Sequence, residues 1–252
     1  MIIRVPSVAD QEQIVQQVEE RLSQLDSAVE TLKKTKQQLE IYRQAVLKEA
    51  FESVSSYTIL DDIATMIDPQ PSHRTPPKMM GGIPYIGIGD IDYDNQTINF
   101  SDARKVSQAL LIEHKNRYVL HKGDFVMGKI GTIGKPFRLP LPQDYLLSAN
   151  VILIQPNPEK VYPDFLFWQF SSQWITKQLT KGANATSQPA FGIKKARLLN
   201  IKICLIEEQI KIVDKINSQL SIYDNIVQTV NHSLQQSEVL RKSILKQAFE
   251  GE

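Results

Sequence analysis

The sequence predicts an α+β protein: a mixed, β-rich globular head flanked by two long helices that form an antiparallel coiled-coil stalk. Three observations predict it. The segment from Ile3 to Glu52 recurs without a gap as Ile201 to Glu250. Each copy spaces its apolar side chains alternately four and three residues apart, the pattern of helices that pack along their length. Between the copies the pattern changes to short apolar runs bounded by turn residues, which read as strands.

The repeat comes first because an ungapped duplication fixes the architecture before any element is assigned. Identical pairs include Gln11/Gln209, Val15/Val213, Leu22/Leu220, Asp26/Asp224, Glu40/Glu238, Arg43/Arg241, Leu47/Leu245 and Phe51/Phe249. One helical unit thus spans residues 1–52, its copy spans 201–252, and a different segment, 53–200, lies between them.

The first copy places Val18, Leu22, Leu25, Val29, Leu32, Lys36, Leu39, Arg43, Val46 and Ala50 on one seam. The second places Ile216, Leu220, Tyr223, Val227, Val230, Leu234, Ser237, Arg241, Ile244 and Ala248 at the same positions. Neither Pro nor Gly interrupts 11–52 or 209–250, so each helix can run to about 60 Å at 1.5 Å per residue. The first helix enters the head by its C-terminal end and the second leaves by its N-terminal end, which lets them pair antiparallel. Arg43 and Arg241 occupy seam positions where a hydrophobe packs better. Two readings fit: each lays its aliphatic stem in the groove with the guanidinium outside, or each fixes register and docks a partner protein together with the repeated Glu40 and Glu238.

The chain has 252 residues, 42% hydrophobic and 23% charged, an ordinary globular composition. No apolar run approaches membrane-spanning length and no secretory stretch opens the sequence, so a cytoplasmic protein without a membrane partner is expected. Lone Cys204 excludes an intramolecular disulfide and a cysteine-based zinc site. A net charge of +1 conceals an asymmetry: residues 128–200 hold nine basic side chains and three acidic ones. Polyanion binding requires such an imbalance, and a solvated lysine-rich face also produces it.

In the central segment, strands are expected at Ile83 to Ile88, Thr97 to Phe100, Asp124 to Met127, Val151 to Ile154 and Ile201 to Ile203. A single helix is expected from Asp164 to Thr180, with Asp164 as its cap after Pro163. Gly128-Lys-Ile-Gly-Thr-Ile-Gly-Lys-Pro136 spaces glycines by three, which lets backbone amides approach a phosphate. It is no nucleotide-binding P-loop, because Lys129 replaces the first glycine and Pro136 the hydroxyl residue. A tight β-turn is the alternative reading. Candidate DNA contacts are therefore Lys129, Thr132, Lys135 and Arg138, joined by His73, Arg74, Lys78, Lys181, Asn184, Gln188, Lys194 and Lys195 in other loop-like stretches. These side-chain types read base edges and hold phosphates.

No catalytic constellation emerges. His73, His114, His121 and His232 show no metal-ligand spacing, and neither H-E-x-x-H nor G-x-S-x-G occurs. Asp61, Asp62, Asp90, Asp92 and Asp94 match no calcium loop and read as solvated or turn-capping residues.

In order and in company, the motifs resemble the specificity subunits of type I restriction-modification systems. Leu60-Asp-Asp-Ile63, Gly82-Ile-Pro-Tyr-Ile-Gly-Ile-Gly-Asp-Ile91, Lys122-Gly-Asp-Phe-Val126, Gly131-Thr-Ile-Gly-Lys135 and Ser148-Ala-Asn150 fall as in a target recognition domain. The repeated helices are similar to the family's conserved spacers. The resemblance implies a non-catalytic reader of double-stranded DNA that works with methyltransferase and restriction subunits. No cofactor is then expected on this chain, S-adenosylmethionine being carried by the methyltransferase. A full-length family member has two recognition domains, whereas this chain resembles a half subunit, which implies a homodimer or pairing with a second specificity chain. The alternative is a scaffold or decoy that binds the partner subunits without reading DNA. A Pro-Pro expected before each spacer helix is reduced to Val5-Pro6-Ser7 and Ile203-Cys204-Leu205.

Overall fold

The computed structural model describes residues 6–129, 133–182 and 191–250. The chain divides into two compact units: a head, residues 44–219, and a pair of helical segments that end at Arg43 and resume at Leu220. The division falls inside both long helices, away from the boundaries expected at 52/53 and 200/201. The reason is burial: Val46, Leu47, Ala50, Val213 and Ile216 belong to the core of the head.

The chain begins with α1 (Val8–Ala50), capped by Ser7, whose Oγ accepts a hydrogen bond from the Asp10 amide. In the head follow β1 (Ser56–Ile59), the one-turn α2 (Leu60–Ile63), β2 (Ala64–Ile67), β3 (Ile83–Ile86), β4 (Ile91–Asp92) and β5 (Thr97–Ile98). Next come β6 (Arg104–Val106), α3 (Gln108–Arg117), β7 (Phe125–Gly128), β8 (Pro136–Arg138), β9 (Leu146–Leu147) and β10 (Val151–Pro156). Three helices, α4 (Pro163–Phe170), α5 (Gln173–Gly182) and α6 (Ile193–Arg197), lead to β11 (Asn200–Ile203) and α7 (Ile206–Glu250).

The central sheet has the order β2-β10-β7-β8, antiparallel throughout. β10 is covered on both faces and paired on both edges, so its first four residues are all buried instead of alternating. Phe125 of β7 meets Phe167 and Phe170 of α4, with ring centroids 5.6 and 5.2 Å apart. Val126, Val151 and Leu153 point the other way into a cluster with Ile86, Tyr118, Phe137, Tyr145 and Leu147. That cluster joins the sheet to a second one, β6-β3-β9. Gly82 is required at its margin, since a Cβ there would lie 2.2 Å from the Val106 carbonyl oxygen.

The expected strands are present with altered ends. Ile88 leaves β3 for a short 3-10 turn, and only Thr97–Ile98 of the 97–100 run is strand. The helix expected from 164 to 180 is two helices. Pro163 takes the first helical position after the N-cap Tyr162, so Asp164 sits inside the first turn and does not cap it. The break falls at Ser171 and Ser172, whose hydroxyls donate to the carbonyls of Phe167 and Gln169 and compete with the helical ladder. Gln44 bridges the gap: its Nε2 donates to Ser171 O and its Oε1 accepts from Gln173 N.

In the helical unit, every expected seam position it contains is buried or half-buried. Arg241 pairs with Asp26, and the Tyr223 hydroxyl donates to Glu40 across the seam at 3.3 Å, which fixes the antiparallel direction. Arg43 lies against Glu40 at 3.6 Å and acts on Asp224, whose carboxyl is raised by burial and drawn back by that cation. The repeat explains the symmetry: Asp26–Arg241 and Asp224–Arg43 are the same pair seen from the two helices. Both arginines thus have acidic neighbours within the helical unit, and Glu238, one turn before Arg241, is exposed.

Candidate nucleic-acid interface

The sheet topology decides which loops meet. β2 and β7 both run antiparallel to β10, so both end at the edge where β10 begins: Ile67 opposite Leu153, and Gly128 opposite Val151. The loop after β2, which carries His73, Arg74 and Lys78, and the glycine-rich loop after β7 therefore leave from one sheet edge. A third connection reaches the same place, because the Phe191 amide donates to Lys129 O at 2.9 Å. Phe191 ends the connection that starts after α5, with Lys181, Lys194 and Lys195 at its two flanks. Thr132, Asn184 and Gln188 lie outside the described residues.

The recurring motifs turn out to be braces for this edge. Ser148 Oγ donates to Asn150 Oδ1, and the same oxygen accepts from the Ile88 amide at 3.2 Å. A Cβ on Gly87 would lie 2.9 Å from Ser148 Oγ, so the glycine lets the two motifs close on each other. Asn150 O then accepts from the Lys129 amide at 2.8 Å. The β2 loop is anchored from below by His114, a fully buried imidazole. Its Nε2 lies 2.7 Å from Gln70 Oε1, so that nitrogen carries the proton, and its Nδ1 faces the Tyr118 hydroxyl at 3.3 Å. Burial lowers its pKa to about 4. Gln70 Nε2 donates to Ser72 Oγ and Arg74 O, and Arg117 donates to Pro69 O at 2.7 Å.

The candidate cations fall into two groups. Arg74, Lys78, Lys181 and Lys194 are exposed and make no ion pair among the described residues. The others are engaged. Lys129, 14% exposed, donates to Asp68 at 2.8 Å. Lys135 lies over the Tyr93 ring, 4.5 Å from its centroid, and receives the tyrosine hydroxyl on its carbonyl. Arg138 pairs with Asp164 at 2.9 Å and stacks 3.7 Å over Phe167, on α4 rather than with the loops. Lys195 donates to Gly182 O. His73, at a φ of 52°, faces Asp68 at 3.6 Å. Asp68, Gln70 and Asn150 belong to this site and were not among the candidate contacts read from the sequence. Only Asn150 carried a signal, within the Ser-Ala-Asn motif.

Comparison with known proteins is consistent with this geometry. The family model for the type I restriction modification DNA specificity domain matches residues 59–236. The type I restriction enzyme EcoBI specificity subunit of Escherichia coli is 24% identical, over all of this chain and 58% of its own length. Among solved structures, a chain from a study of complex assembly and conformational transition in the type I R-M system superposes with a TM-score of 0.64. It is 17% identical and matches 98% of this chain and 60% of its own. The HsdS subunit from Thermoanaerobacter tengcongensis gives 0.53, also 17% identical, over 99% of this chain and 60% of that one. These two structures share the fold, and this chain spans about three-fifths of the length of each relative.

Proposed function

Because the chain belongs to the type I restriction-modification DNA specificity family, we propose that its head reads a half-site in double-stranded DNA and performs no chemistry itself. One observation carries the reading: the loop after β2, Lys129 and Phe191 meet at one edge of the β2-β10-β7 sheet, and Arg74, Lys78, Lys181 and Lys194, in or beside those segments, are exposed and make no ion pair among the described residues. The phosphate cations supply sequence-independent attraction, and loop side chains held by the His114 and Asn150 braces supply selectivity. Selection of bound duplexes from a random pool, by this chain together with a methyltransferase, tests it. A recovered common half-site supports the reading, and an unselected pool refutes it.

The helical unit is read as the docking surface. Its repeated acids Asp26, Glu40, Asp224 and Glu238 share one flank of the seam. The other flank is poor in charge and exposes Ile222, Ile226 and Leu240. An amphipathic helix of a methyltransferase fits that apolar flank, and the restriction subunit joins the complex so formed. S-adenosylmethionine is then held by the partner, and this chain contributes only position.

The reading also includes a second recognition head, from another copy or another specificity chain. Its support is a contrast between identical residues of the repeat. Leu47 and Val213 are buried, whereas their counterparts Leu245 and Val15 are 39% and 54% exposed. Buried Gln209 holds the Cys204 carbonyl with Nε2 and accepts the Tyr162 amide on Oε1. Gln11 makes the matching bond to Pro6 O. Its Oε1 has no partner among the described residues. The start of α1 and the end of α7 thus retain residues that, in the other copy, hold a head.

A further inference from the structure

β2 and β7 are not neighbours: β10 lies between them, which separates their ends by about 10 Å at ~4.8 Å per strand. Among the described residues no backbone hydrogen bond joins the two loops that follow. Among the described residues an ion pair links them, Lys129 Nζ to Asp68 Oδ2 at 2.8 Å, passing over the start of β10 and largely withdrawn from solvent.

We infer that the Asp68–Lys129 pair is a clamp that sets the position of the β2 loop relative to the glycine-rich loop, and so determines base preference without touching DNA. The inference rests on the proposal that this edge reads DNA. Its two ends are unequal. Lys129 is the fixed end, since its amide donates to Asn150 O and its carbonyl accepts from Phe191 N. Asp68 is the end that carries the load: its other oxygen accepts from the Gln70 amide at 3.2 Å, and His73 approaches the same carboxylate. Gln70 in turn determines where Ser72 and Arg74 lie. A shift at Asp68 is therefore transmitted within six residues to the exposed guanidinium of Arg74. An ammonium already held by a carboxylate and shielded from water is poorly placed to take a phosphate, which costs it that partner.

Asp68→Asn, Lys129→Met and the double variant, each as the full chain with its methyltransferase, test the clamp. The measured quantity is the ratio of affinities for the selected duplex and a scrambled one at matched salt. The clamp predicts that each single change lowers this ratio about tenfold, that the double change lowers it no further, and that Lys129→Arg preserves it. If Lys129 is instead a phosphate contact, Lys129→Met weakens both duplexes alike and lowers the salt slope by about one, while Asp68→Asn tightens both. That outcome overturns the clamp. If the wild-type chain selects no sequence, DNA reading fails and the clamp is judged on amide exchange alone. Faster exchange at Gln70 and His73 in both single variants supports it, and unchanged exchange defeats it. Should Lys129→Met not fold, Asp68→Asn decides by the same two readouts, because it removes no cation.

Discussion

His114 shows how one buried side chain couples the core to the sheet edge proposed to read DNA. Its folded pKa of about 4 lies below the ordinary 6.5, so between those values the unfolded chain binds a proton that the folded chain refuses. Stability is thus complete above pH 6.5 and declines as pH falls toward 4, by roughly 3 kcal/mol at most. Thermal unfolding of wild type and His114→Asn across this range checks it: the variant, uniformly weaker, has the shallower slope. At the surface, Arg74 and Lys78 have no competing partner among the described residues. Their joint change to Ala is expected to lower the salt slope of DNA binding by about one per lost phosphate contact, in a titration series over salt concentration.

Among the elements, α4 and α5 show a tertiary contact overriding a local pattern. Amphipathic spacing continues from 164 to 180, but the Ser171-Ser172 hydroxyls and the Gln44 amide end one helix and start another. The β3–β6 pair depends on backbone proximity at Gly82. Gly82→Ala forces a Cβ onto the Val106 carbonyl and is expected to cost about 1 to 3 kcal/mol, read from a denaturant midpoint. In the hairpin, Arg241 and Asp26 are each roughly half exposed. Arg241→Glu, which sets like charges across the seam, is therefore expected to cost only about 1 kcal/mol, well below the figure for a buried pair. Melting curves of the variant distinguish the two.

At the scale of the molecule, exposed Val15 and Leu245 mark a surface that the matching residues Val213 and Leu47 bury. Under the pairing proposal, light scattering of the chain with its methyltransferase shows two recognition heads per complex. Leu245→Glu reduces that to one while the melting temperature of the head holds. A complex with a single head in both proteins contradicts the pairing.

The sequence by itself determined the α+β class, the duplicated helices and the seam, and it supplied the basic and amide side chains proposed to meet DNA. Periodicity and self-similarity are local or repeated signals, and every seam position from Val18 to Ala50 and from Ile216 to Ala248 is at least half-buried. The motif order pointed to the family for the same reason. Only the tertiary structure decided which loops share an edge and which cations are spent. Lys129 and Arg138 look like free charges in a basic segment, yet Asp68 lies 61 residues from one and Asp164 lies 26 from the other. Ion pairs across strands depend on sheet order, and β2-β10-β7-β8 is not the order of the chain. A short helical break or a buried imidazole is likewise set by neighbours distant in sequence, which no local spacing records.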